Sequence, residues 1–149
     1  MHYTYISPIG NILITADEKF ILTVSFTDEA VNFCEKNDVI NLAILQLDEY
    51  FGGMRKAFDL PLNPTGTEFQ KRVWNELAKI PYGETRTYKE IAKAMGNENS
   101  SRAVGNANNK NPIAIIIPCH RVIGTSGKLV GYAGGLEKKK KLLEMEKVV

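Results

Sequence analysis

Leu60-Pro61-Leu62-Asn63-Pro64-Thr65-Gly66 divides the chain. Proline lacks an amide donor and fixes φ, so a stretch with two prolines and a glycine continues neither a helix nor a central strand. The chain begins with segments of strand periodicity, and beyond this stretch helical periodicity predominates. The charge changes sign there too. Residues 1–66 hold four Lys or Arg against nine acids, a balance of −5, and residues 67–149 hold fifteen against eight, a balance of +7. We place a domain boundary here, giving an N-terminal domain over residues 1–63 and a C-terminal domain over 64–149.

On the N-terminal side, Tyr3 to Ser7 alternates weakly and Pro8-Ile9-Gly10-Asn11 turns. Ile12 to Ala16 alternates apolar with small polar residues, and Phe20 to Phe26 follows a turn at Asp17-Glu18-Lys19. These segments predict an antiparallel meander. A helix is expected from about Asp28 to Asn37, and a stronger one from Asn41 to Phe51. Leu42, Leu45, Tyr50, Ile44, Leu47 and Phe51 would form the apolar stripe of the second, and Gly52-Gly53 would close it.

On the C-terminal side, Thr67-Glu68-Phe69-Gln70 is a capping box, followed by an apolar face of Phe69, Val73, Leu77 and Ile80. Pro81-Tyr82-Gly83-Glu84 turns. Thr87-Tyr88-Lys89-Glu90 is a second capping box, opening a helix through Ile91, Ala92 and Met95 that Gly96 ends. Another helix is expected from Asn99 or Ser100 to Asn109. Two short helices about a glycine turn are the pattern of a helix-turn-helix, and equally of an ordinary αα-hairpin. Ile113 to Ile117 predicts a short extended run leading into Pro118-Cys119-His120-Arg121. A helix from Leu136 to Glu146 closes the chain.

The 149 residues are 44% hydrophobic and 24% charged, as expected of a globular protein with a real core. No apolar run approaches the roughly 20 residues of a membrane span. The N-terminus lacks the basic-then-apolar pattern of a secretory signal. Cys34 and Cys119 are the only cysteines, too few for a disulfide framework, so a reduced cytoplasmic setting is expected. The basic second half suggests a polyanionic partner. The competing view is that Lys138 to Lys141 merely solvate a helix face.

Cysteine is often just a small buried hydrophobe, and Cys34 reads that way. Cys119 differs, because Pro118 restricts the backbone before it and His120 and Arg121 follow at once. Thiolate is the nucleophilic form, a cationic neighbourhood favours it, and an adjacent imidazole can take its proton. A carboxylate would then be needed to orient the imidazole. Metal binding is disfavoured, since Cys34, Cys119, His2 and His120 are the whole Cys/His supply and match no usual zinc spacing.

Ile115-Ile116-Ile117-Pro118-Cys119-His120-Arg121-Val122-Ile123 resembles the active-site signature of the O6-alkylguanine-DNA alkyltransferases. Further matches lie in order around it. They are Pro81-Tyr82-Gly83-Glu84-Thr85, Thr87-Tyr88, Arg102-Ala103-Val104-Gly105, Asn111-Pro112, Gly131-Tyr132 with Gly134-Gly135-Leu136, and Leu142-Leu143 before Glu146. The resemblance covers about residues 67–147. It implies an α/β N-terminal domain with a ribonuclease-H-like antiparallel sheet. It also implies a mainly α, winged-helix-like C-terminal domain with a helix-turn-helix.

The same resemblance implies a one-use repair reaction in which Cys119 accepts the alkyl group from O6 of guanine. His120 would deprotonate Cys119 through a water, and Glu146 would hold His120. Tyr88 would donate toward N3 of the base. Asn111 would tie the helix-turn-helix to the active-site turn. Backbone groups near Cys119 and Val122, with Tyr132 and the Ala133 amide, would line the base pocket. Arg102 would fill the space left by a flipped base. Ala103, Gly105 and Ala107 would allow close approach to a minor groove, which suits inspection of any sequence. The implied partner is double-stranded DNA carrying O6-alkylguanine, with O4-alkylthymine as a further substrate. The protein is expected to act as a monomer, with no cofactor, metal or membrane.

Two positions depart from the family pattern. Ala133 stands where many members have serine, and Asn108 holds a pocket-side position that is often apolar. Two rivals remain. A cysteine hydrolase using Cys119, His120 and Glu146 would turn over repeatedly. A helix-turn-helix regulator would prefer one DNA sequence through base contacts.

Overall fold

The computed structural model describes residues 1–30 and 36–148. The chain forms two compact units. One comprises Met1–Thr65 with Pro112–Ala114, and the other Gly66–Asn111 with Ile115–Val149. Among the described residues no helix is long and apolar enough to cross a membrane.

The first unit is built on an antiparallel meander of β1 (His2–Ser7), β2 (Gly10–Ala16) and β3 (Ile21–Phe26). Tyr5 pairs with Ile12 and Tyr3 with Ile14, and β2 continues against β3 with Ile12 opposite Phe26. The alternation works as strand periodicity requires: Ile12, Ile14 and Ala16 are buried, while Asn11, Leu13 and Thr15 are half-buried. Two segments close the outer edge of β3. Ile21 N donates to Pro61 O at 2.8 Å and Asn63 N to Ile21 O at 3.0 Å. Further along, Val24 N donates to Pro112 O at 2.9 Å and Ala114 N to Val24 O at 2.8 Å.

Helix α1 (Asp38–Phe51) starts earlier than the apolar pattern predicts, because the Asn37 side chain caps it by accepting from Ile40 N at 2.9 Å. Its buried face is Ile40, Ala43, Gln46, Leu47 and Tyr50. Leu42 and Leu45, expected in the stripe, are 39% and 55% exposed. The inward face is fixed by Tyr5, whose hydroxyl donates to Asp48 Oδ1 at 2.6 Å and whose ring stacks on Phe51. The helix expected from Asp28 to Asn37 is absent at residues 28–30 and 36–37. Its middle, with Cys34, lies outside the described residues.

The second unit opens with α2 (Glu68–Leu77). Its capping box is complete: Thr67 Oγ1 accepts from Gln70 N, and Gln70 Oε1 accepts from Thr67 N. Val73, Trp74 and Leu77 are buried, and the Trp74 indole donates to Ala107 O at 2.9 Å. The Thr87/Glu90 box starts α3 (Tyr88–Ala94). Gly96, at φ +92°, supports the turn beyond it. A 3-10 turn at Glu98–Ser100 then leads into α4 (Ser101–Asn109). Helix α5 (Leu136–Met145) buries Lys139, Leu142 and Leu143.

Residues 113–117 do not form the extended run that their apolar character suggests. Ile113 makes an isolated bridge to Val24, residues 114–116 turn, and Ile115 takes φ +71°. A β-branched residue in the left-handed region is strained, at a cost of order 1–3 kcal/mol. Burial of Ile115, at 1% exposure, helps offset that cost. The chain leaves this turn through Pro118 into a 3-10 turn at Cys119–Arg121. It continues as β5 (Val122–Ile123), which pairs in parallel with β4 (Arg86–Thr87). That short ladder fixes the start of α3 beside the end of the Cys119 turn.

Candidate active site

Cys119, His120 and Arg121 form a buried 3-10 turn. Its amides are satisfied locally, with Cys119 N donating to Ile117 O at 2.8 Å and Arg121 N to Pro118 O at 3.0 Å. Asn111, just past α4, donates from Nδ2 to Ile117 O at 2.8 Å and so ties the end of that helix to the turn. Asn108 is also buried, and its Nδ2 approaches Cys119 O at 3.4 Å. The same carbonyl accepts from Val122 N.

His120 and Glu146 are 0% and 2% exposed, and His120 Nε2 lies 2.7 Å from Glu146 Oε2. With a carboxylate at that distance, Nε2 carries the ring proton and Nδ1 keeps its lone pair. Among the described residues nothing hydrogen-bonds to Nδ1. Arg121 completes the cluster: its Nε donates to Glu146 Oε1 at 2.8 Å, its Nη2 to Oε2 at 3.1 Å, and its Nη1 to Ile80 O at 2.7 Å.

The electrostatics follow from this burial. Loss of solvent pushes the Cys119 thiol up to about 11, against the opposing pull of the Asn111 hydrogen bond and the Lys139 charge. Burial lowers His120, and the Arg121 and Lys139 charges add to that effect while Glu146 opposes it. Burial brings Lys139 down to about 8, with the Cys119 charge pulling the other way. Burial raises Tyr88 and Tyr132, and the Cys119 charge raises both further. At rest the pair is therefore neutral thiol and neutral imidazole. Moving the thiol proton to His120 creates a thiolate near Lys139 and an imidazolium on Glu146.

Residues 68–148 match the family model for the 6-O-methylguanine DNA methyltransferase DNA-binding domain, and residues 1–64 match the ribonuclease-like domain of the same family. The chain belongs to the 6-O-methylguanine DNA methyltransferase family. It is 54% identical to the methylated-DNA--protein-cysteine methyltransferase of Methanosarcina acetivorans, over 98% of each chain. The crystal structure of the Mycobacterium tuberculosis O6-methylguanine methyltransferase is similar at TM-score 0.89 and 44% identity, covering 98% of this chain and 92% of that one. The M. tuberculosis OGT structure in complex with DNA is similar at TM-score 0.90 and 45% identity, with the same coverage. The two-domain methyltransferase architecture, a small antiparallel-sheet domain and a helical DNA-binding domain, is thus present in this chain.

Within this methyltransferase domain, His120 meets Glu146 in the turn that carries Cys119, and Asn111 reaches the same turn. Tyr88 is half-buried, with its hydroxyl donating to Val130 O at 2.8 Å. Tyr132 is half-buried, and Ala133 is exposed. Arg102 and Ala103 are exposed on α4. Gly105 is half-buried, and a Cβ added there would lie 3.7 Å from the Tyr88 ring. Ala107 is a correction. It is 2% exposed, and its carbonyl accepts from Trp74, so it packs inward and does not face a groove. Among the described residues no His, Cys, Asp and Glu group is placed to hold a metal ion.

Two members of the cluster are invisible to motif reading. Arg121 reads as a cation following the Cys-His pair, whereas it grips both oxygens of Glu146. Lys139 reads as one of four solvated lysines, whereas it is buried with Nζ donating to Val130 O at 2.8 Å and Gly131 O at 3.2 Å. The signal for it lay in the spacing. Lys139, Leu142, Leu143 and Glu146 stand at i, i+3, i+4 and i+7, one helical stripe.

Proposed function

We propose that the protein repairs alkylated DNA by direct reversal, with Cys119 taking the alkyl group from O6 of guanine once per molecule. The observation that carries this reading is the buried relay. Cys119 is followed by an imidazole whose Nε2 is committed to Glu146 and whose Nδ1 is open to accept a proton. The thiol proton passes through a water to Nδ1, and Sγ attacks the alkyl carbon. An S–C bond forms as the C–O bond breaks, and the electron pair leaves with the guanine ring. A proton delivered to the base completes the exchange, so thiol plus alkylguanine becomes thioether plus guanine. A thioether has no leaving group for a second cycle, so the protein is consumed.

Burial of Cys119 means that a stacked base cannot reach it, which supports flipping of the nucleotide out of the duplex. The pair α3–α4 with its tight turn is read as a helix-turn-helix, with β4 and β5 as the start of a wing. Arg102 and Ala103, exposed on α4, meet double-stranded DNA there, and Arg102 fills the vacated space. Tyr132 and the Ala133 amide border the base, together with backbone groups near Cys119 and Val122. O4-alkylthymine presents the same alkyl–oxygen bond and is a further substrate. The working form is a cytoplasmic monomer, with an N-terminal domain over residues 1–63 and the acceptor domain over 64–149.

Tyr88 neutralises the leaving base by donating toward N3, so its hydroxyl exchanges its bond to Val130 O for one to substrate. Lys139 continues to satisfy that carbonyl. Tyr88→Phe slows single-turnover transfer by on the order of tenfold or more, the worth of one lost hydrogen bond. An unchanged rate in rapid-quench assays removes Tyr88 from this role.

The function is tested with limiting protein and an excess of duplex containing O6-methylguanine. Base analysis of the duplex should recover one guanine per protein and then stop. Recovery beyond one equivalent, with free alcohol released, identifies the hydrolase instead.

A further inference from the structure

Arg121 is a buried cation that the transfer reaction as described does not use, and it is held at three points. Its fork meets both Glu146 oxygens at 2.8 and 3.1 Å, and its third nitrogen donates to Ile80 O, just beyond α2, at 2.7 Å. The guanidinium also lies over the Tyr82 ring, 5.8 Å from its centroid, and the Tyr82 hydroxyl donates to Met145 O at 3.2 Å. A planar fork paired with both carboxylate oxygens fixes the carboxylate's orientation as well as its charge. One of those oxygens is the atom that receives His120 Nε2.

We propose that Arg121 is a positioning residue for alkyl transfer: by gripping Glu146 it keeps the carboxylate charged and aimed, and so holds His120 neutral with Nδ1 turned to its task. This rests on the reading of Cys119 and His120 given above. An isolated carboxylate beside a buried imidazole would draw a proton onto the pair and leave no base for the thiol. Arg121 supplies the compensating charge that prevents it. The other charged groups facing His120 are Lys139 and Glu146, from α5 and its C-terminal end. Tyr88 and Tyr132 face Cys119. Lys139 opposes protonation of His120 as Arg121 does, but its ammonium is anchored to the carbonyls of Val130 and Gly131.

The sign of the expected effect follows from the charges. Removing a cation beside the His120–Glu146 pair favours proton uptake by the pair, whichever partner takes the proton. In Arg121→Met the midpoint of His120 titration therefore rises by about one unit or more. Transfer at pH values below the original midpoint becomes about tenfold slower, and the deficit closes as pH is raised past the new midpoint. Arg121→Lys keeps the charge but cannot grip two oxygens. It leaves the midpoint near that of the unsubstituted protein and lowers the rate at every pH.

The test is 15N imidazole NMR of the free protein, in which His2 is the only other histidine, paired with single-turnover rates against pH. A raised midpoint in Arg121→Met together with a slower Arg121→Lys at an unshifted midpoint supports the proposal. Slower transfer in both variants with unmoved midpoints means a purely structural role and overturns it. If Arg121→Met does not fold, Arg121→Gln takes its place and is judged by the same titration: a raised midpoint supports the proposal, and an unmoved midpoint overturns it. Failure of the unsubstituted protein to alkylate Cys119 would strike the underlying reading of the site. The NMR midpoints, taken without DNA, would still judge the Arg121–His120 coupling.

Discussion

Cys119→Ser abolishes alkyl transfer and leaves DNA binding in place. The two side chains are nearly isosteric, so the 3-10 turn keeps its backbone bonds to Ile117 and Pro118. What changes is the acid. A buried thiol at about 11 can still yield its proton to a poised imidazole, whereas a hydroxyl in the same place is a far weaker acid and a far weaker nucleophile. Arg102 and Ala103 are exposed on α4, outside the turn that carries Cys119, and are not altered by the substitution. Titration of a fluorescent duplex should give matching affinities for the two proteins, while the variant takes up no alkyl group from the lesion. Transfer at the original rate would remove Cys119 from the mechanism.

Glu146→Gln is expected to damage both stability and chemistry. Glu146 accepts from His120 and twice from Arg121, with both partners buried. Removing one member of a buried, hydrogen-bonded ion pair strands the other charge and costs about 3–5 kcal/mol. The same change removes the anion that stabilises imidazolium, so the general-base contribution, roughly 10²- to 10⁴-fold, is largely lost. Urea denaturation and rapid-quench kinetics measure the two effects separately. A variant with the original midpoint and rate would show that the carboxylate is a bystander.

Local chemistry made much of this molecule legible. The capping boxes at Thr67 and Thr87 form as written, because each needs only four consecutive residues. The meander follows from the alternation of Ile12, Ile14 and Ala16. Tertiary choices were not legible in the same way. Six apolar residues on α1 offer more than one stripe, and the sheet selects the one that leaves Leu42 and Leu45 outside. Ala107 turns inward because α4 packs on Trp74 of α2, a partner 33 residues away. Residues 113–117 look like a strand, yet Ile115 occupies a strained left-handed conformation that only its packed surroundings maintain.

The site divides along the same line. Cys119 and His120 stand together in the chain and carry the resemblance openly. The pairing of Arg121 with Glu146 spans 25 residues and the bond from Lys139 to Val130 spans nine, so neither is read from adjacent residues. Burial is what makes these pairings consequential. An exposed lysine or arginine would merely solvate a helix, whereas a buried one must be compensated and thereby shifts its neighbours.

The most direct measurement is intact-protein mass spectrometry after mixing the protein with a short duplex containing O6-methylguanine. The account predicts a gain of one methylene, saturating at one per chain and mapping to Cys119 after digestion. Tight lesion-selective binding with no mass change would contradict it and make the protein a sensor of damage.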